Sequence, residues 1–501
     1  MKAESEKRHS EDQNKLSEES IRVEEKPLAM ISEPKKQVPV YHEVDVIVAG
    51  GGIAGVFAAL AASRNGARTL LIDRFGAPGG NMGPGMIIGG NFDGYSYSKS
   101  DPDATVQPDE VPHAETLIIK DPGIYGGYTG IPKEFMERYG AYGGGRLPYR
   151  EMQYLRDSGI ASQVALEMLT EGGVELLLSV FVCDPIMEGN RIVGVYYEGK
   201  GGRHAARAKV VVDATGEADV ARRAGAPALY PKESYFKWDK HAPSGMGIFA
   251  VIGGIEVEEF KRYIRETDKL FEIEPRKIPG LGRAIVVGSK RNPYGKVLYE
   301  REGLSGFRVQ LLRPHQNIDA GNAIHISRME AAIRMYIFDV AQTLKENVPG
   351  FEESYLMVTS PYLTVRGGPC IEGLTTLTME DCLAGKKSDD VVYIYGEPRA
   401  LHRTRQKHGK SRWTDMPYRA LIPKRVDGLI AVGRCASGIP DTLVRNRMAV
   451  LHMGQVGGTA AALAAKAGVS PAELDVKQLQ GTLLDAGFYL GNRERLRELE
   501  L

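Results

Sequence analysis

The chain has 501 residues, of which 43% are hydrophobic and 26% are charged, and this length is enough for two or three domains with a large core. The 64 basic and 64 acidic residues balance, so no net positive charge attracts the chain to nucleic acid or anionic lipid. The four cysteines are scattered and form no C-x-x-C pair, which argues against a disulfide framework, an iron–sulfur cluster or a metal site.

The N-terminal residues 1–42 are polar and charged and contain no apolar stretch like that of a secretory signal. We expect them to form a disordered tail, because they offer few side chains to bury. No segment reaches the roughly 18 consecutive apolar residues that a membrane-spanning helix needs, and scattered cysteines are typical of a reducing compartment. The sequence therefore predicts a cytoplasmic protein without a membrane anchor.

The next segment predicts a β-α-β unit. A buried strand at Val44–Ala49 is followed by a helix at Ile53–Asn65 and by a second buried strand at Thr69–Ile72. Such a unit forms the core of parallel α/β sheets, in which ligands bind beyond the carboxyl ends of the strands.

The turn between the first strand and its helix reads G-x-G-x-x-G, with Gly50, Gly52 and Gly55 as its glycines. They allow a tight turn, close approach of a pyrophosphate to the backbone, and close packing of helix on strand, respectively. Asp73 ends the second strand about 20 residues later, where an acid typically binds ribose hydroxyls. The pattern predicts an adenine dinucleotide site; the acid disfavours NADP, and NAD and FAD fit equally.

Residues 85–149 are rich in glycine, proline and tyrosine and form an insertion in which only Pro132–Tyr139 looks helical. One interpretation is a substrate cover that would suit a polyhydroxylated ligand; the alternatives are an exposed loop or an oligomer contact. The tyrosines that would present rings and hydroxyls to such a ligand are Tyr95, Tyr97, Tyr125 and Tyr128.

Further along the chain, a helix at Ile160–Leu169 and a strand at Val174–Leu178 precede a three-stranded antiparallel meander over Val180–Val210. The segment from 226 to 426 is mixed α and β. Its clearest helix is Arg328–Asn347, with Ser327 as candidate N-cap.

Two later glycine motifs each follow a buried strand. Thr215-Gly216 lies in D-A-T-G, and Gly433-Arg434 follows the strand Asp427–Val432. A glycine- and alanine-rich helix is predicted at Val444–Ala465. Because ligands bind at the carboxyl ends of such strands, we expect both motifs to converge with the Gly50 turn around one cofactor.

This order of motifs, with the Gly79-Gly80-Asn81 turn after Asp73, resembles the glutathione-reductase-type two-domain flavoproteins. More narrowly, it resembles the FAD-dependent oxidoreductase family that includes the flavin domain of heterodisulfide reductase. The narrower resemblance rests on YLTVRGGPCIEGLTTLTMEDCLAG and MPYRALIPKRVDGLIAVGRC. The chain departs from that family by lacking clustered iron–sulfur cysteines. It also has Pro369 where the family's R-x-x-R pair, begun by Arg366, has its second arginine.

The resemblance implies tightly bound FAD and a discontinuous Rossmann-like FAD-binding domain over 43–225 and 427–468, with a parallel sheet and an antiparallel meander. It further implies a mixed α+β substrate or cap domain over 226–426 and a C-terminal extension over 469–501. The cofactor-binding residues are expected to be Gly50, Gly52, Ile53, Ala54, Gly55, Asp73, Arg74, Gly80, Asn81, Met82, Val182, Thr215, Gly216, Gly433, Arg434, Arg447 and Met448.

The expected function is hydride transfer between flavin N5 and a small organic substrate, polyhydroxylated or anionic, with an electron acceptor or donor of unknown identity. The alternative is a flavoprotein component that passes electrons to a partner protein. We expect no metal, nucleic acid or membrane partner. The sequence is compatible with a homo-oligomer.

Three residues are candidates for the chemistry, and each has a structural alternative. Arg366 would orient an anionic or carbonyl substrate, or form a surface ion pair. Tyr418 would donate a proton, or be a core tyrosine. His325 would titrate near neutrality, or be a structural histidine.

Overall fold

The computed structural model describes residues 28–85, 129–142, 158–229, 246–266, 273, 276–278, 282–286, 305–312, 320–365, 368–396, 413–438 and 447–501. The chain divides into two compact units. The larger unit comprises the described residues of Val38–Pro231 and Gly368–Leu501, and the smaller unit those of Met1–Gln37 and Lys232–Gly367. Described residues between 368 and 426, which the sequence assigns to the cap, therefore pack within the larger unit.

The described strands are β1 (Val40–Ala49), β2 (Thr69–Asp73), β3 (Glu175–Leu178), β4 (Phe181–Glu188), β5 (Arg191–Gly199), β6 (Gly202–Asp213), β7 (Ala228–Leu229), β8 (Gly247–Gly253), β9 (Arg276–Ile278), β10 (Gly282–Val286), β11 (Ser305–Leu312), β12 (Tyr355–Thr359), β13 (Cys370–Ile371), β14 (Val391–Gly396), β15 (Trp413–Pro417) and β16 (Leu429–Ala431). The described α-helices are α1 (Ile53–Arg64), α2 (Gly130–Ala141), α3 (Ser158–Glu171), α4 (Asp219–Arg223), α5 (Val257–Glu266), α6 (Ala323–Asn347), α7 (Met379–Ala384), α8 (Arg447–Ala467), α9 (Val476–Asp485) and α10 (Arg493–Glu498).

The larger unit is built on a sheet in which β3, β2, β1 and β6 are parallel neighbours and β16 adds a further parallel pairing to β6. Strands β4, β5 and β6 form an antiparallel meander on the same sheet. The central strand β2 is buried along its whole length, as expected for a parallel strand covered on both faces. The predicted β-α-β unit, meander and α/β fold class are confirmed.

Helix α1 is buried from Ala54 to Ala62, because no residue in that stretch has a polar side chain that would need water. It packs against α8 through glycines. A Cβ built on Gly458 would lie 2.8 Å from the Cα of Ala58 and still closer to its carbonyl oxygen, and one on Gly454 would overlap the Ala54 carbonyl. The backbones of α1 and α8 therefore approach as closely as glycine allows. We call this contact of Ala54 and Ala58 with Gly454 and Gly458 the helix seam.

The smaller unit is mixed α+β, as predicted. Its described strands form an antiparallel sheet in the order β12-β8-β11-β10-β9. Alternate residues of β8, such as Ile248 and Ile252, share a buried cluster with Ile333 of α6, which follows from the two-residue period of a strand.

Helix α6 begins five residues earlier than the sequence suggested. Its N-cap is Asn322, whose side chain accepts hydrogen bonds from the backbone N–H groups of Ile324 and His325. The prediction of Ser327 as N-cap is wrong, because Asn322 already satisfies these first donors one turn upstream.

Candidate cofactor site

The carboxyl ends of four parallel strands lie at one level of the sheet. Ala49 at the end of β1 is in register with Ile72 of β2 and with Asp213, the last residue of β6. Asp213 is in turn in register with Ala431, the last residue of β16. The segments that leave these strands therefore meet at one edge, as predicted. We call residues 50–55, 73–74, 79–82, 213–219 and 433–435 the strand-end cluster.

The glycines of the first turn are required for two different reasons. A Cβ on Gly50, whose φ is +100°, would lie 2.6 Å from the Ala214 carbonyl oxygen, and one on Gly55 would overlap the Gly50 carbonyl. Among the described residues, a Cβ on Gly52 would instead have a single neighbour, the Ala214 oxygen at 4.0 Å. Protein packing explains Gly50 and Gly55, whereas at Gly52 the space is open for a ligand to approach the backbone.

Gly52 is also the N-cap of the twelve-residue helix α1, and no side chain of the described residues caps it. The first N–H groups of a helix have no intrahelical acceptor and carry a partial positive charge. Without a capping side chain, they are available to an anion such as a pyrophosphate.

Asp73 lies directly beside this turn. A Cβ on Gly51 would overlap its Oδ2 atom, and its Oδ1 atom accepts a hydrogen bond from the Phe75 N–H at 3.0 Å. Burial raises the pKa of the Asp73 carboxyl, against the opposing effect of hydrogen bonds from the backbone at Phe75 and Gly51. The carboxyl is thus positioned at the strand end where ribose hydroxyls bind in dinucleotide folds.

The turn after Asp73 closes onto the glycine loop. The Gly79 N–H donates to the Gly51 carbonyl at 2.8 Å, and a Cβ on Gly80 would lie 2.8 Å from the Cα of Gly52. From α8, the Arg447 guanidinium donates to the Asn81 carbonyl at 3.0 Å. Residues 366 positions apart in the sequence are therefore brought to one side of the loop.

The segment after β6 is fixed by Asp213, which is fully buried. Its Oδ1 atom accepts from the Thr215 backbone N–H at 3.0 Å and hydroxyl at 2.7 Å, and its Oδ2 atom accepts from the Ala221 N–H at 2.8 Å. The Thr215 hydroxyl in turn accepts from the Asp219 N–H at 2.9 Å. This network holds Thr215 and Gly216 beside Gly50.

The two late motifs meet through an ion pair between Arg434 and Glu217, both mostly buried. A Cβ on Gly216 would lie 2.9 Å from the Arg434 guanidinium, so glycine lets the arginine cross the turn. Burial, together with the charges of Glu217 and Asp213, raises the pKa of Asp219 to about 6. On the other side of this edge, a Cβ on Gly433 would lie 3.0 Å from the Cβ of Ala54 in α1.

The other predicted cofactor residues lie at or near the same edge. Ile53 and Ala54 open α1, and Met82 is buried in the turn after Gly80. Arg74 is exposed, with its guanidinium 4.8 Å from the centre of the Phe75 ring. The remaining two are Val182, near the start of β4 opposite Tyr197, and Met448, in the first turn of α8.

The structure describes two of the three catalytic candidates, Tyr418 and His325. Tyr418 is buried in the core, its hydroxyl donates to the Pro471 carbonyl at 2.8 Å, and burial raises its pKa. These contacts favour the core alternative for Tyr418. His325 lies buried in the first turn of α6, in the smaller unit, so it is within that helix and not ahead of it. Arg366 lies outside the described residues, as do Tyr95, Tyr97, Tyr125 and Tyr128.

Sequence reasoning missed Glu217, Asp219 and Cys435 at this edge. Glu217 and Asp219 follow the D-A-T-G motif within four residues, and Cys435 follows Gly433-Arg434 directly. Adjacency to the two motifs was the available signal. What their side chains contact depends on strands distant in sequence, which no local pattern reveals.

No α-helix in the described parts of the chain is long and apolar enough to cross a membrane.

Comparison with known proteins gives three findings. The model of a family described as FAD dependent oxidoreductase matches residues 45–483. A curated relative, digeranylgeranylglycerophospholipid reductase 2 of Methanopyrus kandleri, is 29% identical over 193 residues, which are 38% of this chain and 42% of the relative. The matched segment thus spans about two fifths of that relative's length.

Among solved structures, a geranylgeranyl bacteriochlorophyll reductase-like protein of Thermoplasma acidophilum matches with 14% identity, 92% coverage of this chain, 86% coverage of that chain and a TM-score of 0.41. A flavoprotein/dehydrogenase of Cytophaga hutchinsonii matches with 13% identity, coverages of 88% and 82%, and a TM-score of 0.42. These likenesses are too distant to carry an argument about substrate.

Proposed function

The chain belongs to the FAD dependent oxidoreductase family, and on that premise we propose that it transfers a hydride between flavin N5 and a small organic substrate, polyhydroxylated or anionic. One observation carries the proposal. The strand-end cluster brings three glycine-bearing strand ends and a buried acid to one edge of the sheet, which is the edge at which open α/β sheets bind dinucleotides.

The residues at this edge fit FAD. The open space at Gly52 and the uncapped N-terminus of α1 suit the pyrophosphate, and the Asp73 carboxyl suits ribose hydroxyls. We assign the FAD contacts to the cofactor-binding residues predicted above. When bound, FAD supplies a two-electron acceptor or donor at N5.

The chain's own contribution is to position the cofactor and the substrate. The Arg447 contact to Asn81 and the Gly79 contact to Gly51 hold the second glycine turn against the first, so both sides of a dinucleotide would bind preorganised backbone. Preorganised donors need no rearrangement when charge develops during reaction. We propose Arg366 as the group that orients the substrate, because a guanidinium binds carboxylates or carbonyls in a fixed geometry.

The substrate class is an inference from this chain's sequence and not from its relatives. The curated relative is named for a phospholipid, but it matches only 38% of this chain. The relative is a reductase, and the family is one of oxidoreductases, so the electron-transfer alternative is not favoured. We further propose that the protein works in the cytoplasm, with a small-molecule substrate and a separate electron acceptor or donor.

Anaerobic mixing of the purified yellow protein with sugars, sugar acids and hydroxy acids tests the proposal. We expect at least one compound to bleach the visible flavin absorbance within a turnover time. The Arg366→Ala variant should keep its FAD and bleach more slowly. If no small molecule bleaches the flavin while a partner protein reduces it, the protein is an electron-transfer component and the proposal fails.

A further inference from the structure

A fully buried thiol joins the two late strand ends. Cys435 follows β16, and its Sγ atom accepts hydrogen bonds from the backbone N–H groups of Gly216 at 3.1 Å and Ala218 at 3.3 Å. The same thiol donates to Asp213 Oδ1 at 3.6 Å. These contacts link segments 219 residues apart in the sequence, and they are independent of the Arg434 ion pair nearby.

The chemistry of both partners suits this arrangement. Burial raises the pKa of the Cys435 thiol well above its usual range, so it keeps the hydrogen that it donates. Burial also raises the pKa of the Asp213 carboxyl, and the groups that contact it oppose this shift, because the Thr215 hydroxyl and the N–H groups of Thr215 and Ala221 all donate hydrogen bonds to it. A protonated thiol can complete this set while its lone pairs accept from the turn.

The turn that the thiol holds is strained. Ala218 has a φ of +53°, in the left-handed region that residues other than glycine avoid. Such a conformation persists where the surrounding structure over-determines it, and it often marks a functional segment. The bond from the Ala218 N–H to Cys435 Sγ is one of the contacts that hold it.

The start of this turn packs against the glycine loop. The Ala214 carbonyl oxygen, at the start of the turn, would lie 2.6 Å from a Cβ on Gly50 and, among the atoms of the described residues, is the one near a Cβ on Gly52, at 4.0 Å. A shift of a few tenths of an ångström at residues 214–218 would therefore move the backbone that faces a bound pyrophosphate.

We propose that Cys435 is a positioning residue for FAD: its thiol couples the β16 end to the turn at 214–218 and so sets the shape of the glycine loop. The inference rests on the assignment of FAD and not on the proposed substrate. No redox step by the thiol is involved, since its high pKa and burial make it a poor nucleophile.

The test compares Cys435→Ala and Cys435→Ser with Cys382→Ala as a matched control. Cys382 is also fully buried but lies in α7. The dissociation constant of FAD is measured by titrating apoprotein, with the visible circular dichroism of the bound flavin and the unfolding temperature of each apoprotein as further readouts.

Cys435→Ala should weaken FAD binding by about 10- to 100-fold, because two N–H groups lose their acceptor and the Asp213 carboxylate loses a donor. Cys435→Ser should bind within about threefold of the parent and restore the circular dichroism, since a hydroxyl both donates and accepts. Cys382→Ala should bind FAD normally. Unchanged FAD affinity and circular dichroism in Cys435→Ala, or a serine variant as weak as the alanine variant, would overturn the proposal.

If Cys435→Ala gives no folded apoprotein, Cys435→Ser decides by itself. Its backbone amides at 216–218 should exchange with deuterium at the parent's rate, and FAD should bind with near-parental affinity. Loss of amide protection together with a more than tenfold weaker affinity would show that the hydroxyl cannot replace the thiol and would contradict the hydrogen-bonding role.

Discussion

Glycine has opposite roles in two parts of the larger unit. At the strand-end cluster, a Cβ on Gly52 would meet a single atom of the described residues, at 4.0 Å, so none of those residues fills the space beside it. At the helix seam, a Cβ on Gly458 would overlap the Ala58 carbonyl, so the residue lets two backbones touch. The comparison separates positions where a side chain would block a ligand from positions where it would block the fold itself.

The largest effect is expected at the helix seam. Gly458→Val should prevent folding, because three added carbons must displace the Ala58 backbone and separate α1 from α8; overpacking of this kind costs at least about 1–3 kcal/mol even for a few methylenes. The measurement is soluble yield and the free energy of unfolding. Gly481→Ala in α9 is the control, since a Cβ there meets nothing within 4 Å, and it should stabilise by about 0.5–1 kcal/mol. A folded Gly458→Val protein with parental stability would show that the contact of α1 with α8 does not need glycine at position 458.

Gly52→Val should give a folded protein that does not retain FAD. The added side chain enters space that is empty of protein but needed for the pyrophosphate to reach the backbone. Absorbance after gel filtration measures FAD content, and the unfolding temperature of the apoprotein verifies the fold. Gly52→Ala should be intermediate in affinity. Normal FAD occupancy in the valine variant would mean that the glycine loop lies elsewhere.

Charge also distinguishes the strand-end cluster from the apolar helix seam. Because the pKa of Asp219 is raised to about 6, the folded protein between about pH 4 and 6 holds a proton that the unfolded chain has lost. This group therefore makes the free energy of unfolding fall as pH rises through that window, by about 3 kcal/mol. Asp219→Asn should remove this part of the pH dependence of the free energy of unfolding. The measurement is denaturant titration at a series of pH values. An identical profile for the variant and the parent would show that Asp219 ionises normally.

The smallest effect is expected from Tyr418→Phe, which tests whether a group buried in the core of the larger unit takes part in chemistry. Loss of its hydroxyl leaves the Pro471 carbonyl without this donor, which should lower the free energy of unfolding by about 1 kcal/mol. Substrate-dependent flavin bleaching should continue at the parental rate. A large loss of rate with unchanged stability would restore Tyr418 as a proton donor.

The parts of the site that could be predicted are those with short-range signals. The glycine spacing from Gly50 to Gly55 and the acid at Asp73 lie within one β-α-β unit, whose geometry is fixed by neighbours in the chain. The convergence with Thr215 and Gly433 could also be predicted, since each ends a parallel strand. The N-cap of α6 was misplaced by five residues, because the hydrogen bonds that Asn322 accepts fix where the helix begins and no local pattern pointed to them.

By itself, the sequence determined the α/β sheet, the dinucleotide turn and the strand ends at which a cofactor binds, because hydrophobic period and glycine spacing act over a few residues. The tertiary structure decided which side chains meet across that edge: Arg447 with Asn81, Arg434 with Glu217, and Cys435 with the turn at Gly216. These partners are more than 200 residues apart. The register of the parallel strands and the close approach of the helices at the helix seam bring these partners together. Neither the register nor the helix packing can be read from a local sequence pattern.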